Sequence, residues 1–156
     1  MIALNHTHDA AARSWLDTAN AAGTDFPIQN LPYAVFRRAG SPEPFRGGVA
    51  IGDQVLDMAA LSARQLLDGL ALDAARAAAL PALNDFFALG GAAWQALRHA
   101  VFALLRGDAP VATRNAVREC LVPQAEVEYT VPARIGGLDA RGGDLRRCAD
   151  GVGLNV

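Results

Sequence analysis

The sequence of 156 residues contains no lysine, since all 14 of its basic residues are arginines. A Schiff-base lysine, a lysine general base and the lysine of a Walker-type phosphate loop are therefore excluded. Histidine is also scarce, with three residues. The formal net charge of −2 creates no strong field of one sign. Neither nucleic acid nor an anionic membrane is expected as a partner.

Cysteine is limited to Cys120 and Cys148, which lie far apart and form no CxxC pair. This usage is typical of reduced, unconnected thiols in a reducing compartment. No apolar run reaches the length of a membrane span, and the first 15 residues lack the basic and apolar regions of a signal peptide. We therefore expect a soluble protein in the cytoplasm.

Hydrophobic residues make up 52% of the chain, enough for one domain with a real core. The pattern predicts an α+β fold that begins with strands. Prolines flank a short aromatic and β-branched run at residues 33–36, which favours a strand. Residues 48–58 predict a β-hairpin, because Gly52-Asp53 suits a type II′ turn between two apolar runs. We expect the four hairpin residues Val49, Ile51, Val55 and Leu56 in the core.

The apolar period then changes to that of helices over residues 61–105. Short helices are predicted within 61–70, over 72–80, and from an N-capping Asn84 to Leu89. The strongest helix is predicted over 92–106, packing through Trp94, Leu97 and Val101. A helical pattern at 114–120 and a strand at 127–131 follow. Residues 1–23 are expected to form a flexible arm with few packing partners, in which Trp15 matters little.

Few residues suggest chemistry. His6 and His8 in the arm could share a metal only with a third ligand, and none is near in sequence, so a solvated arm is favoured. His99 lies two residues from both Leu97 and Val101, which predicts a solvated position rather than a catalytic base. Cys120 is interpreted as a buried structural thiol.

Other polar pairs also have simpler structural interpretations. Glu126 and Glu128 would share one strand face, where they could bind a hard cation or act in acid–base catalysis, although the wet face of an edge strand is favoured. Arg37-Arg38 suggests a solvated strand end. Gly47-Gly48 and Gly90-Gly91 lack the spacing of phosphate loops. The residues alone thus predict no catalytic, cofactor-binding or metal-binding site.

Four long blocks nevertheless resemble one family. They are TDFPIQNLPYAVF at 24–36, GVAIGDQVLDM at 48–58, LNDFFALGGAAW at 83–94 and YTVPARIG at 129–136. In order and spacing they are similar to the N-terminal domain of fumarylacetoacetases. This resemblance implies the boundaries of an arm at 1–23, a family domain at 24–136 and a divergent tail at 137–156. The tail is rich in glycine, aspartate and arginine and has almost no periodic apolar content, so we expect it to be disordered. The resemblance also implies a small SH3-like β-barrel with accompanying helices, packed against a larger catalytic domain.

The resemblance further implies an activity that belongs to that larger domain. Fumarylacetoacetases hydrolyse 4-fumarylacetoacetate to fumarate and acetoacetate in the last step of tyrosine breakdown. The reaction uses a divalent metal, Mg²⁺ or Ca²⁺, held by carboxylates, and a histidine as general base. Full-length members form homodimers.

The end of the chain departs from the family pattern. There the PxxIG block leads into D-Y-T-D-F, which carries the first metal ligand, whereas Gly136 here precedes Gly137-Leu138-Asp139. Asp139 and Asp144 lie in the corresponding region but in the wrong motif, so no ligand role is assigned to them. We expect a chain that lacks the catalytic domain, holds no cofactor and is inactive alone. The alternative is a stand-alone interaction module that docks on a separately encoded catalytic partner.

Overall fold

Five antiparallel strands form the framework of the computed structural model, which describes residues 4–134. The strands are β1 (Tyr33–Arg38), β2 (Arg46–Ile51), β3 (Gln54–Asp57), β4 (Leu121–Pro123) and β5 (Val127–Thr130). Their order in the sheet is β4-β3-β2-β1-β5. Five helices complete the described part, so the prediction of mixed helices and strands is confirmed. Within these residues the recorded pairing is that of an open sheet, with β4 and β5 at its two edges.

The predicted hairpin is present as β2 and β3, which pair from Gly48↔Asp57 to Ile51↔Gln54. Gly52 has a φ of 55°, and Asp53 is not among the residues with positive φ, which agrees with a type II′ turn. A Cβ on Gly52 would lie 2.4 Å from the hydroxyl oxygen of Thr18, so a glycine is required here for space as well as for conformation.

Both faces of the hairpin are buried. Val49, Ile51 and Leu56 belong to the main hydrophobic core, which lies between the sheet and the helices. Val55 belongs instead to a small second core with Phe36 on the opposite face. The core positions predicted for the hairpin are therefore confirmed, although the residues are divided between two cores.

The helices cover one face of the sheet. They are α1 (Met58–Ser62), α2 (Gly69–Ala78), α3 (Asn84–Ala88), α4 (Gly91–Leu105) and α5 (Val111–Arg118). Leu97 and Val101 of α4 are buried as predicted. The prediction for Trp94 is wrong, because its side chain is 41% exposed while the small Ala93 takes the buried position.

The N-terminal arm is packed against the end of α4, so the expectation of a flexible arm is wrong for its described residues. The Ser14 hydroxyl donates to the carbonyl oxygen of Leu105 at 2.8 Å. In the other direction, the backbone amide of Gly107 donates to the carbonyl oxygen of Arg13 at 2.8 Å. The indole of Trp15 donates to the carbonyl oxygen of Leu104 at 2.9 Å. The proposed boundary between residues 23 and 24 stays a prediction.

Two further local predictions need correction. Asn84 is the first residue of α3 rather than its N-cap, which is Leu83. Strand β4 was not predicted, because its three residues are too few to show an alternating pattern. The predicted tail at 137–156 lies outside the described residues.

Candidate functional site

The most developed polar cluster lies where the hairpin meets α1, and we call it the hairpin-base cluster. Asp57 is 6% exposed, and its carboxylate lies 2.5 Å from Nε of Arg46. The other carboxylate oxygen of Asp57 accepts hydrogen bonds from the backbone amides of Ala59 and Ala60, at 2.9 and 3.1 Å, and so caps the start of α1. Glu43 binds the same guanidinium at 3.1 Å. One arginine thus joins two carboxylates, one of which also starts a helix.

The charged groups of this cluster are paired with one another and with backbone donors. The backbone amide of Arg38 donates to the Glu43 carboxylate at 2.6 Å, and this bond, together with that from Arg46, holds the pKa of Glu43 below 4.5. The Arg46 guanidinium also lies 4.8 Å from the ring centre of Phe36. Because the carboxylates already accept donors from the protein, the cluster stabilises the fold rather than presenting a free base. Sequence reasoning missed it, although an aspartate directly before a helix is a signal of an N-cap.

The histidines are nearer to each other than their separation in sequence suggests. The rings of His6 and His99 are 4.7 Å apart, and the His6 ring meets Phe102 edge-on at 5.7 Å. His99 is half-buried, so the prediction of a solvated position is wrong. Its Nε2 atom has no hydrogen-bond partner within residues 4–134. Burial, followed by the charge of His6, holds the pKa of His99 below 6.5.

The possible metal pair His6 and His8 is separated by the local structure. Both lie in a 3₁₀ helix, His6–His8, and the backbone amide of Asn5 donates to Nδ1 of His8 at 3.2 Å. His8 therefore acts in the cap of this helix. Among residues 4–134, no three side chains of histidine, cysteine, aspartate or glutamate form a group that could hold a metal ion.

The two glutamates predicted on one strand face lie in different elements. Glu126 ends a 3₁₀ helix, Gln124–Glu126, whereas Glu128 lies in the edge strand β5. The carboxylate of Glu128 forms an ion pair with Arg37, whose guanidinium lies 4.5 Å from the ring centre of Phe45. The prediction of an edge strand is confirmed, but the paired carboxylates are not.

The remaining candidates are structural. Cys120 is 1% exposed, as predicted for a structural thiol, and burial raises its pKa. Gly47 and Gly48 lie within β2, where they allow close packing on both faces of the sheet. Cys148, Asp139 and Asp144 lie outside the described residues.

An open groove of about 410 Å³ runs along the contact between the arm and the end of α4. It is lined by His6, Asp9, Ala12, Arg13, Phe102, Arg106, Gly107 and Asp108. Its charged groups are engaged locally: Arg106 pairs with Asp108, and Arg13 donates to two backbone carbonyls. The groove thus has charged walls whose arginines are held by local contacts, and the His6 imidazole also lines it.

No helix in residues 4–134 is both long enough and apolar enough to cross a bilayer.

Comparison with known proteins gives one consistent result. The family model described as Fumarylacetoacetase N-terminal matches residues 29–132. Fumarylacetoacetase of Oryza sativa subsp. japonica is 42% identical over 128 residues, which cover 80% of this chain and 29% of the rice protein. The Homo sapiens enzyme is 40% identical over 119 residues, covering 74% of this chain and 28% of its own length. The chain therefore spans less than a third of the length of these relatives.

Proposed function

This chain belongs to the fumarylacetoacetase N-terminal family, and we propose that it serves as the N-terminal domain of an enzyme that hydrolyses 4-fumarylacetoacetate to fumarate and acetoacetate. The observation that carries the proposal is the family match over residues 29–132, together with relatives named fumarylacetoacetase at about 40% identity. We place this activity in the cytoplasm, and we expect the full-length protein to be a homodimer.

The proposed role of the chain is support of a catalytic domain rather than catalysis. Among residues 4–134, the buried carboxylate of Asp57 is committed to an ion pair with Arg46 and to a helix cap. Such groups stabilise the fold and are not available as a general base. We assign the hydrolytic step, and any Mg²⁺ or Ca²⁺ that polarises the substrate carbonyl, to the portion of the relatives that this chain does not match.

We also propose that the five strands curve into an SH3-like barrel. Neighbouring strands of a sheet lie about 4.8 Å apart, so the two edge strands of a flat five-stranded sheet would be separated by about 19 Å. The two edge strands β4 and β5 are joined only by the 3₁₀ helix Gln124–Glu126. Even fully extended, the four steps from Pro123 to Val127 span at most about 14 Å. This short connection supports a strongly curled sheet whose edges approach each other.

The test is a chimera in which residues 1–134 replace the matched segment of the rice enzyme. The chimera is expected to hydrolyse fumarylacetoacetate in the presence of Mg²⁺, whereas the isolated 156-residue chain is not. The intact rice enzyme is the positive control, and the rice enzyme without the segment is the negative control.

Three results would contradict the proposal. An inactive chimera beside an active rice enzyme would argue against the role as an N-terminal domain. Hydrolysis by the isolated chain that disappears with a chelator would place catalysis in this chain instead. Activity recovered only when the chain is added as a separate protein to the shortened rice enzyme would favour the stand-alone module.

A further inference from the structure

An apolar surface lies at the junction of α3 and α4, and the exposed Asp85 of α3 borders it. No charged residue occurs between Phe86 and Leu97. Three large side chains in this stretch are exposed, namely Phe87 at 47%, Leu89 at 44% and Trp94 at 41%. The exposed residues between and beside them are Ala88, Gly91, Ala92 and Gln95. We call the surface formed by these seven residues the α3–α4 face. Exposed apolar side chains concentrated in one short stretch in this way are typical of an interaction site.

The aromatic groups of the α3–α4 face are held in place from beneath. The Trp94 indole donates to the carbonyl oxygen of Phe86 at 2.8 Å. The Phe86 ring is buried, and its centre lies 6.5 Å from that of Trp94 and 6.0 Å from that of Phe87. Phe86 in turn packs at 4.7 Å against Tyr33 of β1. Aromatic side chains that are already ordered lose little entropy on binding, which suits anchors of an interface.

The polypeptide leaves the described domain beside this face. The amide of Leu83 donates to the carbonyl oxygen of Pro132 at 2.7 Å. The side chain of Asn84 forms two bonds to the backbone of Arg134, at 2.9 and 2.8 Å. These bonds fix residues 132–134 to the start of α3, the helix that carries Phe87. In the relatives, about 70% of the length lies outside the matched segment. That larger portion therefore begins next to the α3–α4 face.

We propose that the α3–α4 face is the surface on which the catalytic portion of a fumarylacetoacetase docks. The inference rests on the proposed function and specifies its contact surface. The matching surface on the partner is expected to be apolar and uncharged, because a buried unpaired charge opposite this face would carry a large desolvation cost. Phe87 and Trp94 would act as the aromatic anchors of the contact.

The test is co-expression of the full 156-residue chain with the rice enzyme from which the matched segment has been deleted. The wild-type chain is expected to co-purify with the shortened rice enzyme. The double variant Phe87→Asp/Leu89→Asp is expected to bind at least tenfold more weakly. The control is Val111→Asp, which introduces the same charge at an exposed apolar residue of α5 and is expected to bind like the wild type. Circular dichroism checks that all variants are folded.

Each outcome distinguishes the surface from the function. Absence of co-purification with the wild-type chain would overturn the docking surface, whereas the proposed function would still be decided by the activity of the chimera. Binding of the double variant at wild-type strength would overturn the surface alone. If the chain by itself sediments as a dimer that the double variant abolishes, the occupant is a second copy and the proposal is wrong. Should the double variant misfold, hydrogen exchange on the wild-type complex decides, since the amides of residues 87–94 must gain protection.

Discussion

Replacement of Gly47 by alanine tests how tightly the sheet and α2 are packed. An ideal Cβ at this position would lie 1.6 Å from the carbonyl oxygen of Ala78, the last residue of α2, and 3.3 Å from Cδ2 of Leu83. Ordinary contact begins at about 3.5 Å, so strand and helix would have to separate by about 2 Å. Because the Ala78 carbonyl belongs to the helix backbone and cannot rotate away, we expect the upper part of the usual overpacking cost, about 3 kcal/mol.

The measurement is thermal unfolding of the Gly47→Ala variant followed by circular dichroism. At about 2–4 °C for each kcal/mol, Tm should fall by about 6–12 °C. The matched control is Gly91→Ala at the start of α4, where a Cβ would meet no atom within 4 Å. That change should leave Tm unchanged or raise it, because alanine restricts the unfolded chain. A Gly47→Ala variant that melts within 2 °C of the wild type would refute the packing argument.

Three further predictions follow from contacts of the described residues. Trp15→Ala should lower the free energy of unfolding by about 3 kcal/mol and Trp94→Ala by less, since Trp15 donates to the end of α4 while Trp94 is 41% exposed. If urea unfolding ranks the two variants in the reverse order, the packed arm is contradicted. Asp57→Ala should cost about 2–4 kcal/mol, because α1 loses its cap and the half-buried Arg46 keeps only Glu43 as an ion-pair partner; a loss below about 1 kcal/mol in the same assay would argue against the cluster. Folding lowers the pKa of His99, so the stability that its neutral imidazole contributes is complete above pH 6.5 and is lost as the pH falls toward the folded-state pKa. The His99→Gln variant should therefore show a smaller fall in Tm than the wild type between about pH 7.5 and 5.5. An equal fall in both proteins would assign the pH dependence to another group.

The sequence was sufficient to predict elements whose cause is local. The hairpin follows from two apolar runs around Gly52, and the position of α4 follows from the spacing of Leu97 and Val101. The same spacing placed Trp94 wrongly, because periodicity identifies a stripe but not where the neighbouring structure ends. In the first turn of α4 the small Ala93 faces the core, whereas Trp94 lies beside it at the surface and donates to the carbonyl oxygen of Phe86.

The hairpin-base cluster and the packed arm depend on contacts between distant segments. The arm is held mainly by backbone and hydroxyl hydrogen bonds to the end of α4, such as that from Ser14, and these have no periodic signature. Similarly, the approach of His6 to His99 joins residues separated by most of the chain. Spacing along the sequence could not have identified either arrangement, whereas the long family blocks did identify the domain.

Strand β1 also imposes an order on biosynthesis. One edge of β1 pairs with nearby β2, but its other edge pairs with β5, where Arg37 meets Glu128, 91 positions later. A ribosome releases β1 long before β5, so the nascent chain carries an unpaired strand edge throughout that interval. Such an edge can pair with another polypeptide, and this risk ends only when residues 127–130 leave the exit tunnel and close it. Completion of the sheet is therefore among the last steps in making this domain.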